Sequence, residues 1–113
     1  MHELTLAQNI VSIVVEKARD AGSSRVRSVR LRVGHLAGVV PESMRFCFDI
    51  CARGTLAEGA TLEIERVPVV IRCRDCGVDS AAEDYQFLCP TCGSSNVEMV
   101  SGRELQVDEM EVE

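Results

Sequence analysis

The chain has 113 residues, a formal charge of −6, six cysteines and twelve basic residues of which only Lys17 is a lysine. That length holds one domain with a modest core, or one small domain carrying a metal-held insertion. The acidic balance argues against general nucleic-acid binding, which depends on attraction to phosphate, and no apolar run approaches the roughly 18 residues of a membrane span.

The start also lacks a charged segment followed by a signal-type apolar core, so the expected location is cytoplasmic. At the terminus itself, the α-amine of Met1, the backbone nitrogen of His2 and its imidazole offer three nitrogen donors from two residues, and Glu3 is placed to add an oxygen. This donor set suits a divalent ion that favours tetragonal or square-planar nitrogen sites, Ni²⁺ or Cu²⁺, more than zinc. Taken alone, the same residues also fit a frayed terminus without a ligand.

Over residues 5–21 the apolar positions Leu6, Ala7, Ile10, Val11, Ile13, Val14 and Ala18 recur at spacings of three and four, opposite Gln8, Asn9, Ser12, Glu16, Lys17 and Asp20. An amphipathic helix packed on a core is expected, stopped by Gly22. Val29, Leu31 and Val33 then alternate with Arg30 and Arg32, as in a strand with one buried face. His35 after Gly34 reads as a loop or strand-end residue. Pro41 and Glu42 open a second helix, whose stripe is Met44, Cys47, Phe48 and Cys51. On such a stripe, Cys47 and Cys51 read as small hydrophobes rather than as a metal pair. Leu62 and Ile64 alternate with Glu63 and Glu65, so two neighbouring strands would set arginine against glutamate on their solvent face.

The most specific signal follows. Cys73 and Cys76, then Cys89 and Cys92, form two Cys-x-x-Cys pairs, each followed by a glycine, Gly77 or Gly93, with Pro90 stiffening the second. Two intervening residues let both thiolates of a pair point the same way, and two pairs complete the tetrahedron of a closed structural zinc site. Disulfides and iron–sulfur ligation compete with this reading, but the first suits another compartment and the second other spacings. Residues 72–96 look polar and turn-rich apart from Tyr85, Phe87 and Leu88, so metal is expected to supply folding energy there. Pro68 and the pair Ser101 and Gly102 read as hinges of this insertion, before a last strand with Leu105 and Val107. A bulge or strand end is expected at Asp108 and Glu109, and the acidic end reads as a solvated edge. Four thiolates leave no open zinc position, and no set of nucleophile and base can be assembled, so an enzyme is not expected.

Several of these motifs together resemble one family. Met1, His2 and Glu3, then Arg32, Val33 and Gly34, the run from Gly38 through Val39, Val40, Pro41 and Glu42 to Ser43, the two knuckles, and the run Ser101, Gly102, Arg103, Glu104, Leu105 are similar to HypA and its paralogue HybF. These are nickel metallochaperones of NiFe-hydrogenase maturation. The resemblance implies Ni(II) bound and transported at Met1, His2 and Glu3, and a structural Zn(II) on Cys73, Cys76, Cys89 and Cys92. It implies a small α/β (α+β) fold, two helices packed on a three-stranded sheet, with a zinc-ribbon-like subdomain inserted before the last strand. Residues 1–68 with 99–113 would form the nickel-binding domain and 69–98 the zinc subdomain. The implied partners are a HypB-like GTPase and the NiFe-hydrogenase large subunit, with urease a further client of some relatives and a homodimer a further expectation. Ala37 stands where many relatives carry serine or a similar small residue, and no histidine follows either knuckle. The alternative is a zinc-ribbon adaptor for protein interaction that never carries nickel.

Overall fold

The computed structural model describes residues 2–82 and 86–113, so the Met1 amine and Tyr85 lie outside the described residues. In chain order the elements are α1 (Glu3–Asp20), β1 (Val26–Gly34), α2 (Pro41–Ala52), β2 (Thr61–Val67), β3 (Val70–Cys73), β4 (Asp79–Ala81), β5 (Val97–Ser101) and β6 (Leu105–Val112). They form two sheets of three strands each, ordered β2-β1-β6 and β4-β3-β5. The chain divides into two compact units. A helix unit contains Met1–Arg32, Val39–Glu65 and Gln106–Glu113, and a cysteine unit contains Val33–Gly38 and Arg66–Leu105.

In the helix unit, α1 starts two residues earlier than its apolar pattern suggests. The reason is Glu3, a charged residue that periodicity discounts but that is only 3% exposed, with Oε2 accepting the Val40 N–H at 3.3 Å. Ala7, Ile10, Val11, Val14, Val15 and Ala18 are buried, whereas Ile13, expected on the same stripe, is 43% exposed. The helix closes on Gly22 at φ 70, whose N–H donates to Arg19 O, as a glycine C-terminal stop requires. Pro41 sits in the first turn of α2, where its missing N–H costs nothing. Met44, Phe48 and Ala52 are buried, and Cys47 and Cys51 are half-buried at the flank of that stripe. Burial pushes the Cys51 thiol up, in keeping with a small hydrophobe that stays protonated.

The two helices pack together, and β1, the central strand of the first sheet, buries Val29, Leu31 and Val33 completely. Its other face carries the charges. Arg30 Nε lies 3.5 Å from Glu63 Oε2, and Arg32 Nε 3.6 Å from Glu65 Oε2, the cross-strand pairs that the alternation predicts. Arg30 also reaches Glu109 on β6, with Nη1 2.9 Å from Oε1. β6 continues through Asp108 and Glu109 rather than ending there; both are exposed, and the half-buried positions shift phase from Leu105 and Val107 to Met110.

The cysteine unit has more core than residues 72–96 imply, because apart from Ala82 the apolar residues of its core come from outside that window. Val69, Ile71 and Ala82 form a buried cluster, with Leu36, Val97 and Met99 packed against it. β3 pairs with β4 and with β5, both antiparallel. The expected hinges are tied to each other, since Ser101 Oγ donates to Pro68 O at 2.8 Å. Nearby, Gly34 N–H donates to Glu104 O and Leu36 N–H to Gly102 O, each at 2.7 Å. The chains run so close that a Cβ on Gly34 would fall inside the Gly102 carbonyl. Gly102, at φ 124, could not take a side chain either, as its Cβ would lie 2.8 Å from Val69 Cγ2.

Candidate metal centre

Two turns of one shape build the cysteine site. Cys73 N–H donates to Val78 O at 3.0 Å and Gly77 N–H returns to Cys73 O at 2.8 Å; Cys89 N–H donates to Ser94 O at 2.9 Å and Gly93 N–H returns to Cys89 O at 2.8 Å. Gly77 at φ 77 and Gly93 at φ 74 make these turns possible without strain. In each knuckle the first cysteine is buried and the second exposed.

The turns bring all four sulphurs within 4.8 Å of one another, with Cys73 Sγ to Cys92 Sγ at 3.5 Å and Cys76 Sγ to Cys89 Sγ at 3.6 Å. A tetrahedral zinc thiolate site, with Zn–S near 2.3 Å, has sulphur–sulphur edges of about 3.8 Å, so the donor set fits that ion in number, softness and size. Backbone donors already favour thiolates here. The Cys76 N–H points at Cys73 Sγ from 3.4 Å and lowers that thiol's pKa, and the backbone N–H of Cys92 is the main cause that brings Cys89 to about 6. At Cys92 a backbone donor from Ser94 is outweighed by the neighbouring thiols Cys73 and Cys89 and by burial, which push it up to about 12. A divalent cation would remove this contest by stabilising every thiolate at once.

Around the sulphurs lies a polar link that residue spacing did not reveal. Asp75, inside the first knuckle, accepts hydrogen bonds from the Ser94 hydroxyl through Oδ2 and from Asn96 Nδ2 through Oδ1 at 3.3 Å. These two donors hold its carboxyl below the usual range, the serine contributing more. On β3 and β4, the Arg72 guanidinium grips Asp79 with Nε to Oδ1 at 2.8 Å and Nη2 to Oδ2 at 3.1 Å, holding that carboxyl low as well.

The other expected metal residues lie in the helix unit. His2 precedes α1 as its N-cap, exposed and without a side-chain capping bond, while its carbonyl accepts the Leu6 N–H at 3.1 Å. Glu3 turns its carboxylate toward the start of α2, where Oε2 meets Val40 and Oε1 is buried with no hydrogen-bond partner among the described residues. The backbone N–H of Val40 is the main cause that keeps this carboxyl below its ordinary pKa. His35 is exposed, and Cys47 and Cys51 belong to no metal-sized group of three or more donors among the described residues. No described helix is long and apolar enough to cross a membrane.

Comparison with known proteins agrees at the level of sequence and of fold. The family described as hydrogenase/urease nickel incorporation, metallochaperone, HypA matches residues 1–112. The hydrogenase maturation factor HypA of Trichormus variabilis is 46% identical over 113 residues, covering 100% of this chain and 96% of that protein. Its counterpart in Geotalea uraniireducens is also 46% identical, covering both chains completely. The solution structure of the Ni metallochaperone HypA from Helicobacter pylori superposes with a TM-score of 0.70 at 23% identity, covering 99% of this chain and 97% of that one. A second solution structure of a HypA protein gives 0.76 at 21% identity, over 99% and 96%. With a full-length family match and relatives at this identity, the chain belongs to the HypA family of nickel-incorporation metallochaperones, a family of hydrogenase maturation factors and not of enzymes.

Proposed function

We propose that this chain carries Ni²⁺ on its first residues and passes it on for NiFe-hydrogenase maturation, while Cys73, Cys76, Cys89 and Cys92 hold a structural Zn²⁺. One observation carries the nickel reading. Glu3 is 3% exposed, yet its Oε1 has no hydrogen-bond partner among the described residues, and a buried carboxylate oxygen left so is costly. A cation held by the adjacent His2 would give that oxygen a partner.

The start of α1 suits such a cation. His2 stands at the N-cap, so its backbone N–H lies outside the helical hydrogen-bond ladder. Nickel can replace that proton without breaking a helix bond, and the imidazole and the Met1 α-amine complete the nitrogen set. Donors at a chain terminus release an ion stepwise to incoming ligands, because ordering them lowers affinity. Zinc on the knuckles would supply a cross-link and no chemistry, since four thiolates leave no open position. A HypB-like GTPase, the NiFe-hydrogenase large subunit, urease as a further client, a homodimeric state and a cytoplasmic location belong to the same proposal and rest on the family alone.

Calorimetric titration of Ni²⁺ into zinc-loaded, untagged protein tests it. One nickel equivalent is expected, lost both in His2→Ala and in a variant with one residue added before Met1. Affinity should fall as pH drops from about 8 through 6.5, the ordinary titration range of an α-amine and an imidazole. Undiminished binding in both variants would place nickel elsewhere, and no binding by the unaltered protein would favour the interaction adaptor.

A further inference from the structure

The two knuckles are tied by more than their sulphurs. Asp75 lies between Cys73 and Cys76, whereas both its partners, Ser94 and Asn96, follow the second knuckle. Ser94 is also part of that second turn, because its carbonyl accepts the Cys89 N–H at 2.9 Å. Its hydroxyl oxygen accepts the Asn96 N–H at 3.0 Å, and the Asn96 carbonyl accepts the Arg74 N–H of the first knuckle at 2.9 Å. The result is a closed polar circuit from Asp75 through Ser94 and Asn96 back to Arg74. It runs in one direction only. The residue matching Asp75 in the second knuckle is Thr91, and the one matching Ser94 after the first is Val78, which has no hydroxyl.

We infer that Asp75 is a positioning residue for the four-cysteine site: by binding Ser94 and Asn96 it holds the two half-sites of the loaded site in register, so that the sulphurs release their metal slowly. The inference rests on the zinc reading of the four cysteines. Asp75 is not one of the clustered donors and needs no contact with the ion. Its effect is that of an outer-shell partner, which fixes ligands whose own rotation would otherwise open an escape path. An open knuckle would need to break this circuit as well as two metal–sulphur bonds.

The test is the rate at which a chromophoric chelator in excess takes zinc from the loaded full-length chain. Asp75→Ala is expected to speed release about tenfold, the lower end of the range for outer-shell partners, because the circuit is exposed to water. Asp75→Asn, which keeps an acceptor oxygen, should recover part of the loss. Asp75→Ala combined with Ser94→Ala should release zinc no faster than Asp75→Ala alone, since both break one circuit. Arg72→Ala removes the exposed Arg72–Asp79 pair of the same sheet without touching the circuit, and should leave the rate near that of the unaltered chain. Cobalt-loaded Asp75→Ala should keep the absorption of a tetrahedral thiolate site, showing that all four sulphurs still bind. Equal rates for Asp75→Ala and the unaltered chain, equal acceleration by Arg72→Ala, or additive effects of Asp75→Ala and Ser94→Ala would overturn the inference. Failure of the unaltered chain to bind zinc at all would instead overturn the zinc reading on which it rests.

Discussion

The helix unit and the cysteine unit are closed by different physics. In the first, two packed helices and the strand β1 each bury apolar side chains, and Phe48, Leu31, Met44 and Val14 are all sealed from solvent. In the second, Ile71 is the largest side chain buried to that degree among the described residues, and the two knuckles rest on backbone turns, four sulphurs and a polar circuit. A short, polar segment can therefore be made rigid without a large core, provided a metal supplies the missing free energy. The same contrast suits the proposed division of labour: a permanent ion where the fold needs it, and a transient ion at a terminus that the fold does not need.

The contrast would be broken most severely by removing the metal proposed for the four cysteines. Structural zinc sites bind with free energies on the order of 10 kcal/mol, so Cys73→Ala or chelation should unfold the knuckles while α1, α2 and their sheet persist. Hydrogen exchange measured residue by residue would show protection lost around Cys73 to Asn96 and kept in residues 3–20 and 41–52. The converse cut is Phe48→Ala, which removes the largest buried side chain of the helix unit and should cost about 3–5 kcal/mol in denaturant unfolding, with zinc still bound. Gly34→Ala should cost about 3 kcal/mol within the cysteine unit, because the new methyl meets backbone and no flexible side chain can yield. The smallest effect belongs to the sheet surface. A double-mutant cycle on Arg30 and Glu63, exposed and 3.5 Å apart, should report less than about 1 kcal/mol and shrink in salt.

Acid should weaken the cysteine unit through one more group. Asp79 has its carboxyl lowered by Arg72, so the folded form binds its proton less readily than the unfolded chain does. The pair's contribution is present above the ordinary aspartate value near 4 and is lost as pH falls through the lower folded value. Asp79→Asn should therefore flatten the acid limb of the stability profile below about pH 4, leaving stability at neutral pH little changed apart from the lost pair. A profile identical to that of the unaltered chain would show that the pair does not contribute.

Residues with a period or a fixed spacing were legible in the sequence. The alternation of Arg30 and Arg32 against Glu63 and Glu65 foretold both the pairing of β1 with β2 and its ion pairs. The Cys-x-x-Cys spacing foretold a four-sulphur cluster. What stayed hidden were long-range features without a period. Leu36 joins Val69, Ile71 and Met99 across more than 30 residues, so the core of the cysteine unit could not be read from the segment between the knuckles. Glu3 escaped the helix pattern because its burial depends on the Val40 N–H, and Ile13 was overcounted because a stripe of spacings does not say where the covered arc ends. Asp75 in a turn looks like an ordinary loop residue until Ser94 and Asn96 are seen beside it.

The proposed separation of two metals onto two sets of residues is best tested by one crossed experiment: zinc and nickel counted by elemental analysis after equilibration with both ions, in the unaltered chain, His2→Ala and Cys73→Ala. One zinc and one nickel are expected in the unaltered chain, nickel alone lost in His2→Ala, and zinc alone lost in Cys73→Ala. Nickel lost with Cys73 and kept without His2 would contradict the account, since both ions would then depend on the cysteine cluster.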